Sequence, residues 1–80
     1  MNKLEKAYNK LNTFERAIVD RIYQKLFHRD FYGLKIKKLQ GHADLFRVRK
    51  GRVRIIYRDL NGIIEVVSID LRDSKTYKNL

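Results

Sequence analysis

Residues 45–69 read LFRVRKGRVRIIYRDLNGIIEVVSI, three runs rich in β-branched and aromatic residues separated by Lys50-Gly51 and Asn61-Gly62. Asn-Gly between apolar runs is the strongest short-range hairpin signal, because both residues tolerate positive φ. Lys-Gly is a weaker turn, since a lysine adopts that conformation poorly. The stretch therefore predicts an antiparallel meander of three strands.

With a two-residue loop at each turn, Arg49 is expected opposite Arg52, Val48 opposite Val53, Arg47 opposite Arg54, and Arg58 opposite Glu65. Alternation then sends Phe46, Val48, Val53, Ile55, Tyr57, Ile64 and Val66 toward a core. Arg47, Arg49, Arg52, Arg54 and Arg58 point the other way, in company with Leu45, Ile56, Val67 and Ile69. Like charges placed opposite one another destabilise a sheet by up to ~1 kcal/mol per pair. A fold has no internal need of that cost, so the second face reads as a platform for a polyanion.

Downstream, DLRDSKTYKNL adds Arg72, Lys75, Tyr77 and Lys78. A basic segment bearing an aromatic suits contact with a phosphate backbone and stacking on a base. Upstream, Leu4, Ala7, Tyr8 and Leu11 keep helical spacing over Asn2–Leu11. Asn12 followed by Glu15 is a capping box opening a second helix that runs to about His28. Its stripe of Phe14, Ile18, Ile22, Leu26 and Phe27 is expected in the core. The two helices form a hairpin, and the connection HRDFYGLKIKKLQGHAD carries Lys35, Lys37 and Lys38 around Gly33 and Gly41, held to the core by Leu34, Ile36 and Leu39.

The 80 residues, 44% of them hydrophobic, support one domain over residues 1–80. Nineteen Lys and Arg against nine Asp and Glu give a net charge of +10, which favours polyanionic partners. There is no cysteine, hence no disulfide framework or thiolate metal site. Neither a signal peptide nor a membrane span of about 20 apolar residues is visible, so the chain reads as cytoplasmic, with no membrane partner. His28 and His42 have no evident partner and read as surface or turn residues. Asp70 and Asp73 read as charge partners of Arg72 and Lys75, and no metal or small-molecule cofactor is assigned.

A helical hairpin, a basic connection ending in KKLQG, the pair LFRVRKGRVRIIYRD and a third strand leading to RDSKTY together resemble the toxins of the RelE/ParE superfamily from toxin-antitoxin systems. The resemblance spans about Leu4 to Tyr77. It implies an α+β fold in which an N-terminal helical hairpin packs on a small antiparallel sheet of three or more strands; the strand with which family members usually open is not visible, so either the sheet lacks that edge strand and holds three, or the natural protein begins upstream. It also implies a ribosome-dependent mRNA endonuclease that inhibits translation: the RNA 2′-hydroxyl attacks its neighbouring phosphodiester without a metal, and an acidic antitoxin is the cognate partner.

Carried over by position, the family's basic residues fall on Arg47, Arg49, Arg54 and Arg72, and its C-terminal aromatic on Tyr77. Arg52, Arg58, Lys37, Lys38, Lys50 and Lys75 extend the expected nucleic-acid contacts. Where the best-known mRNA-cleaving members have lysines on the first strand of this pair, Arg47 and Arg49 stand here, and arginine cannot serve as a general base. Base catalysis then falls to Tyr77, to a distorted RNA geometry or to the ribosome. Two alternatives stay open: a gyrase inhibitor of the ParE kind without nuclease activity, and a non-catalytic RNA- or DNA-binding module derived from such a toxin.

Overall fold

A computed structural model describes residues 2–71. Its elements are α1 (Lys3–Asn9), α2 (Thr13–Phe27), β1 (Lys35–Lys38), β2 (Leu45–Lys50), β3 (Val53–Leu60) and β4 (Ile63–Leu71). The strands form one antiparallel sheet in the order β1-β2-β3-β4, with both helices on one face. The chain is thus α+β, with a helical hairpin on a four-stranded sheet.

Each helix starts on an asparagine whose side chain satisfies a backbone N–H that has no partner inside the helix. Asn2 Oδ1 accepts from Glu5 N at 2.8 Å. Asn12 Oδ1 accepts from Glu15 N at 2.8 Å, while Glu15 Oε1 accepts from Asn12 N at 3.0 Å, so the expected capping box is complete. The hairpin is locked where Arg16 donates to the carbonyls of Tyr8 (3.3 Å) and Asn9 (2.9 Å), and where the Tyr8 hydroxyl donates to Asp20 (2.9 Å).

The core joins Val19, Ile22 and Leu26 of α2 to Val48, Val53, Ile55, Tyr57 and Ile69 of the sheet. Alternation placed the strand residues correctly through Val66: Phe46, Ile64 and Val66, also expected inward, pack partly buried against this core. The helix stripe is rotated from expectation: α2 buries Glu15, Val19, Ile22 and Leu26, while Phe14 is 74% and Phe27 55% exposed. The capping box explains the rotation, because it draws Glu15 inward beneath the β2–β3 turn, where its Oε2 lies 3.7 Å from Arg52 Nη1.

Three features of the sheet differ from the sequence reading. First, the basic connection contributes β1, paired Lys35 with Arg49, Ile36 with Val48, Lys37 with Arg47 and Lys38 with Phe46. Four residues with a single inward apolar side chain, Ile36, are too short to show a period.

Second, the β2–β3 turn is centred on Gly51-Arg52. Gly51 has φ +59 while Arg52 stays outside the left-handed region. Glycine in the first central position fits a type II′ hairpin turn and spares Lys50 a positive φ. The register therefore moves: Arg49 pairs with Arg54, Arg47 with Ile56, Val48 with Ile55 and Lys50 with Val53. Moving both partners preserves parity, so the faces survive the shift.

Third, a bulge interrupts β3–β4 at Ile56/Tyr57. Arg58 still pairs with Glu65, across an Asn61-Gly62 turn with φ +55 and +79, but beyond Val67 every residue changes face. Ile69, expected outside, is 6% exposed in the core, and Asp70 comes out opposite Arg54.

Truncating Leu26, which is fully buried, should cost about 2–5 kcal/mol of unfolding free energy. Phe14→Ala should cost less than about 0.5 kcal/mol, as for other exposed positions. Denaturant titration followed by circular dichroism separates the two, and equal losses would contradict the observed rotation of α2.

Candidate nucleic-acid interface

No described element covers the second face of the sheet. Residues paired in register share a face, so the chain forms rows across it. One row is Lys35, Arg49, Arg54 and Asp70; the next is Lys37, Arg47, Ile56 and Ser68; a third holds Leu45, Arg58 and Glu65. Positive charge is therefore concentrated on β1 and β2, and the carboxylates lie on β4.

The arginines of β3 are engaged within the protein. Arg54 Nε donates to Asp70 Oδ1 at 2.7 Å. Arg58 lies 3.0 Å from Asp44 Oδ2 through Nε and 3.5 Å from Glu65 Oε1 through Nη1. Its Nε is buried and off the hydrogen-bonding line, so the Asp44 contact is an ion pair alone. Arg52, expected on the platform, turns instead toward Glu15 of α2. Arg29, in the left-handed region at φ +53, grips Asp59 with both terminal nitrogens (3.3 and 2.9 Å), tying the end of α2 to β3.

By contrast Lys35, Lys37, Arg47 and Arg49 have no ion pair or hydrogen bond from their side chains to any described residue. These four, with Lys50, Gly33 and Gly51, line an open cleft of about 750 Å³. A strand advances ~3.3 Å per residue and neighbouring strands stand ~4.8 Å apart, so the two rows are about 7 Å apart. That separation is comparable with the spacing of consecutive phosphates along a nucleic-acid strand. Like charges face each other at Arg49/Arg54 in the β2–β3 hairpin, one pair where the sequence predicts two, and at Lys35/Arg49 and Lys37/Arg47 across β1–β2. An anion in the cleft would relieve that repulsion.

Lys38, on β1, pairs with Phe46 and so lies on the helix-facing side of the edge, away from the cleft. Arg72, Lys75 and Tyr77 lie outside the described residues. His28 Nδ1 is 2.7 Å from the Gln24 carbonyl at the end of α2, and His42 is an exposed turn residue. Among the described residues no three His, Cys, Asp or Glu side chains are grouped to hold a metal ion. Tyr57 is 2% exposed, and burial raises the pKa of its hydroxyl above the ordinary tyrosine value.

Two residues of this region carry no signal of their own in the sequence. Lys35 joins the cleft only because β1 exists. Tyr32, 88% exposed, stands in a turn closed by Leu34 N donating to Phe31 O at 3.2 Å, with Gly33 at φ +78. Asp30 braces that turn, accepting from Tyr32 N at 3.2 Å and from Lys25 Nζ at 3.1 Å. These contacts, Lys25 first and the Tyr32 N–H second, hold the Asp30 carboxyl below its ordinary pKa.

No protein-family model, curated protein or solved structure matches the chain. No helix among the described residues is long and apolar enough to cross a membrane.

Removing the Asp70 carboxylate releases Arg54 to the platform. Asp70→Asn should tighten binding to single-stranded polyanions and steepen the dependence of log K on log salt by about 0.7 for one added phosphate contact. Salt-titrated fluorescence anisotropy with a labelled oligonucleotide checks this; an unchanged slope would place Arg54 outside the interface. The Asp30 brace should also have a defined pH window. Because the folded pKa is depressed, its contribution is complete above the free-aspartate value of ~3.9 and is lost only as pH falls through the lower folded value. A carbon-13 titration of the Asp30 carboxyl should have its midpoint below that of free aspartate.

Proposed function

We propose that the chain is a toxin of the RelE type, a ribosome-dependent endoribonuclease that cuts mRNA and is neutralised by an acidic antitoxin. The observation that carries this reading is the quartet Lys35, Lys37, Arg47 and Arg49, unpaired among the described residues and gathered round one cleft while the β3 arginines are paired. The order of elements and the Arg-Val-Arg strand, through which the sequence resembles that superfamily, add the class of chemistry.

In that reaction the 2′-oxygen bonds to phosphorus, the bond from phosphorus to the 5′-oxygen breaks, and a cyclic 2′,3′-phosphate remains. The attacking hydroxyl loses a proton and the leaving oxygen gains one. Arginine forks at Arg47 and Arg49 suit the non-bridging oxygens, and preorganised cations at a crowded phosphate supply much of the stabilisation such a step needs. Lys35 and Lys37 add cations of a type that can exchange a proton, which arginine cannot. An acidic, amphipathic antitoxin segment would neutralise the same quartet and cover Leu45, Ile56 and Val67 beside it.

The bond from Arg54 to Asp70 favours a second reading, nucleic-acid binding without cleavage. It occupies the arginine that the family resemblance would place at the reacting phosphate.

Primer extension on mRNA from a translating extract separates the two. The purified protein should produce new 3′ ends within codons held in the ribosomal A site, absent without ribosomes. An Arg47→Ala/Arg49→Ala variant should reduce them at least about 100-fold, the scale set by losing preorganised donors. Intact mRNA together with salt-dependent RNA binding would establish the second reading in place of the first.

A further inference from the structure

Beside the cationic cleft lies a second hollow, of about 300 Å³, between α2 and the turn that leads into β1. Its inner wall is apolar, formed by Ile18, Ile22 and Leu34, and its outer wall carries Arg21, Lys50 and Tyr32. Gly33 and Lys50 line both hollows, so the two adjoin at the end of the sheet where β1 begins and β2 ends. The phosphate cleft by itself gives this second space no role.

Its chemistry is that of a base site. Nucleobases present a flat face that stacks on an aromatic ring or an apolar wall, and stacking is largely indifferent to sequence. Tyr32 offers such a ring at 88% exposure, and its hydroxyl has no partner among the described residues. The backbone that carries the ring is fixed: the 31–34 turn is hydrogen-bonded, Asp30 ties it to Lys25, and Arg29 anchors the preceding residue to Asp59. With the turn already ordered, a ligand arriving there has only the side chain left to immobilise. At Gly33, where the hollows adjoin, no atom lies within 4 Å of the place a side chain would take.

We propose that this hollow receives one unpaired base, stacked on Tyr32, of the same strand whose consecutive phosphates lie along the Lys35/Arg49 and Lys37/Arg47 rows. The inference rests on the nucleic-acid reading above and narrows it: the ligand is single-stranded at this point, because a base within a duplex cannot leave its stack to enter the hollow without breaking its pair. Lys50, at the junction, follows the backbone between the two sites.

The test is fluorescence anisotropy on the full chain with three labelled probes of equal length: a short oligouridylate, a strand composed only of abasic sites, and an RNA duplex. Tyr32→Ala should weaken oligouridylate binding about 5- to 150-fold, the range of a single base-aromatic stack, and Tyr32→Phe should restore most of it. The slope of log K against log salt should stay at the wild-type value in both variants, since no phosphate contact is removed. The abasic strand should bind the wild type more weakly than oligouridylate and be indifferent to Tyr32→Ala. Equal binding of oligouridylate by wild type and Tyr32→Ala, or duplex binding as tight as that of the single strand, overturns the base site while leaving the phosphate cleft standing. Failure of the wild type to bind any probe overturns both.

Discussion

The positive φ at Gly51 is the constraint on which the arrangement of charge depends. A two-residue hairpin turn of this hand needs a first central residue free of a Cβ penalty, and Gly51 is the only residue of Lys50-Gly51-Arg52 that qualifies. The turn must therefore comprise Gly51 and Arg52. Arg52 leaves the strand and meets Glu15, whose inward position comes from the capping box of α2. Arg49 is brought opposite Arg54, and Arg47 opposite Ile56. One torsion angle thus couples the start of a helix to the spacing of cations on the far face of the sheet.

The bulge in β3–β4 makes the second selection among those cations. Continuing the register of the Asn61-Gly62 hairpin would put Ile69 opposite Arg54; the extra residue Val67 puts Asp70 there. The same shift seals the core with Ile69 and neutralises an arginine that would otherwise belong to the platform. Arg54 and Asp70 are both partly exposed, so their pair adds little to stability, about 0–1 kcal/mol. Its larger effect is on where the field is strongest: charge is cancelled toward β4 and left standing toward β1.

The sequence made legible whatever local chemistry decides. Asn12 with Glu15 marked the start of α2, Asn61-Gly62 marked a hairpin, and alternation placed Val48, Val53, Ile55 and Tyr57 inside. It was opaque where a tertiary contact or a single inserted residue governs. Phe14 and Phe27 fit a helical stripe as well as Val19 does, and only the burial of Glu15 chooses between them. Lys35–Lys38 contains one inward apolar residue, so nothing local distinguishes strand from loop. The Arg54–Asp70 bond follows from a bulge that period-2 counting passes over. For the same reason the cleft could be read only in part: Arg47 and Arg49 from alternation, Lys35 not at all, and Tyr32 only once the turn around Gly33 is built.

Lysines on β1 have an explanation that requires no ligand, since edge strands commonly carry charge that discourages pairing with another chain. Lys35, Lys37 and Lys38 would serve that purpose unaided. Arg47 and Arg49 are different, because β2 lies inside the sheet between β1 and β3 and has no free edge to protect. Placing them directly opposite Lys37 and Lys35 adds repulsion of up to ~1 kcal/mol per pair in a small domain whose total stability is about 5–15 kcal/mol. Threonine or glutamine at both positions would keep the strand and remove the repulsion. An anion shared between the rows would turn four mutually repelling charges into four contacts, and to do so it would have to reach across both strands at once.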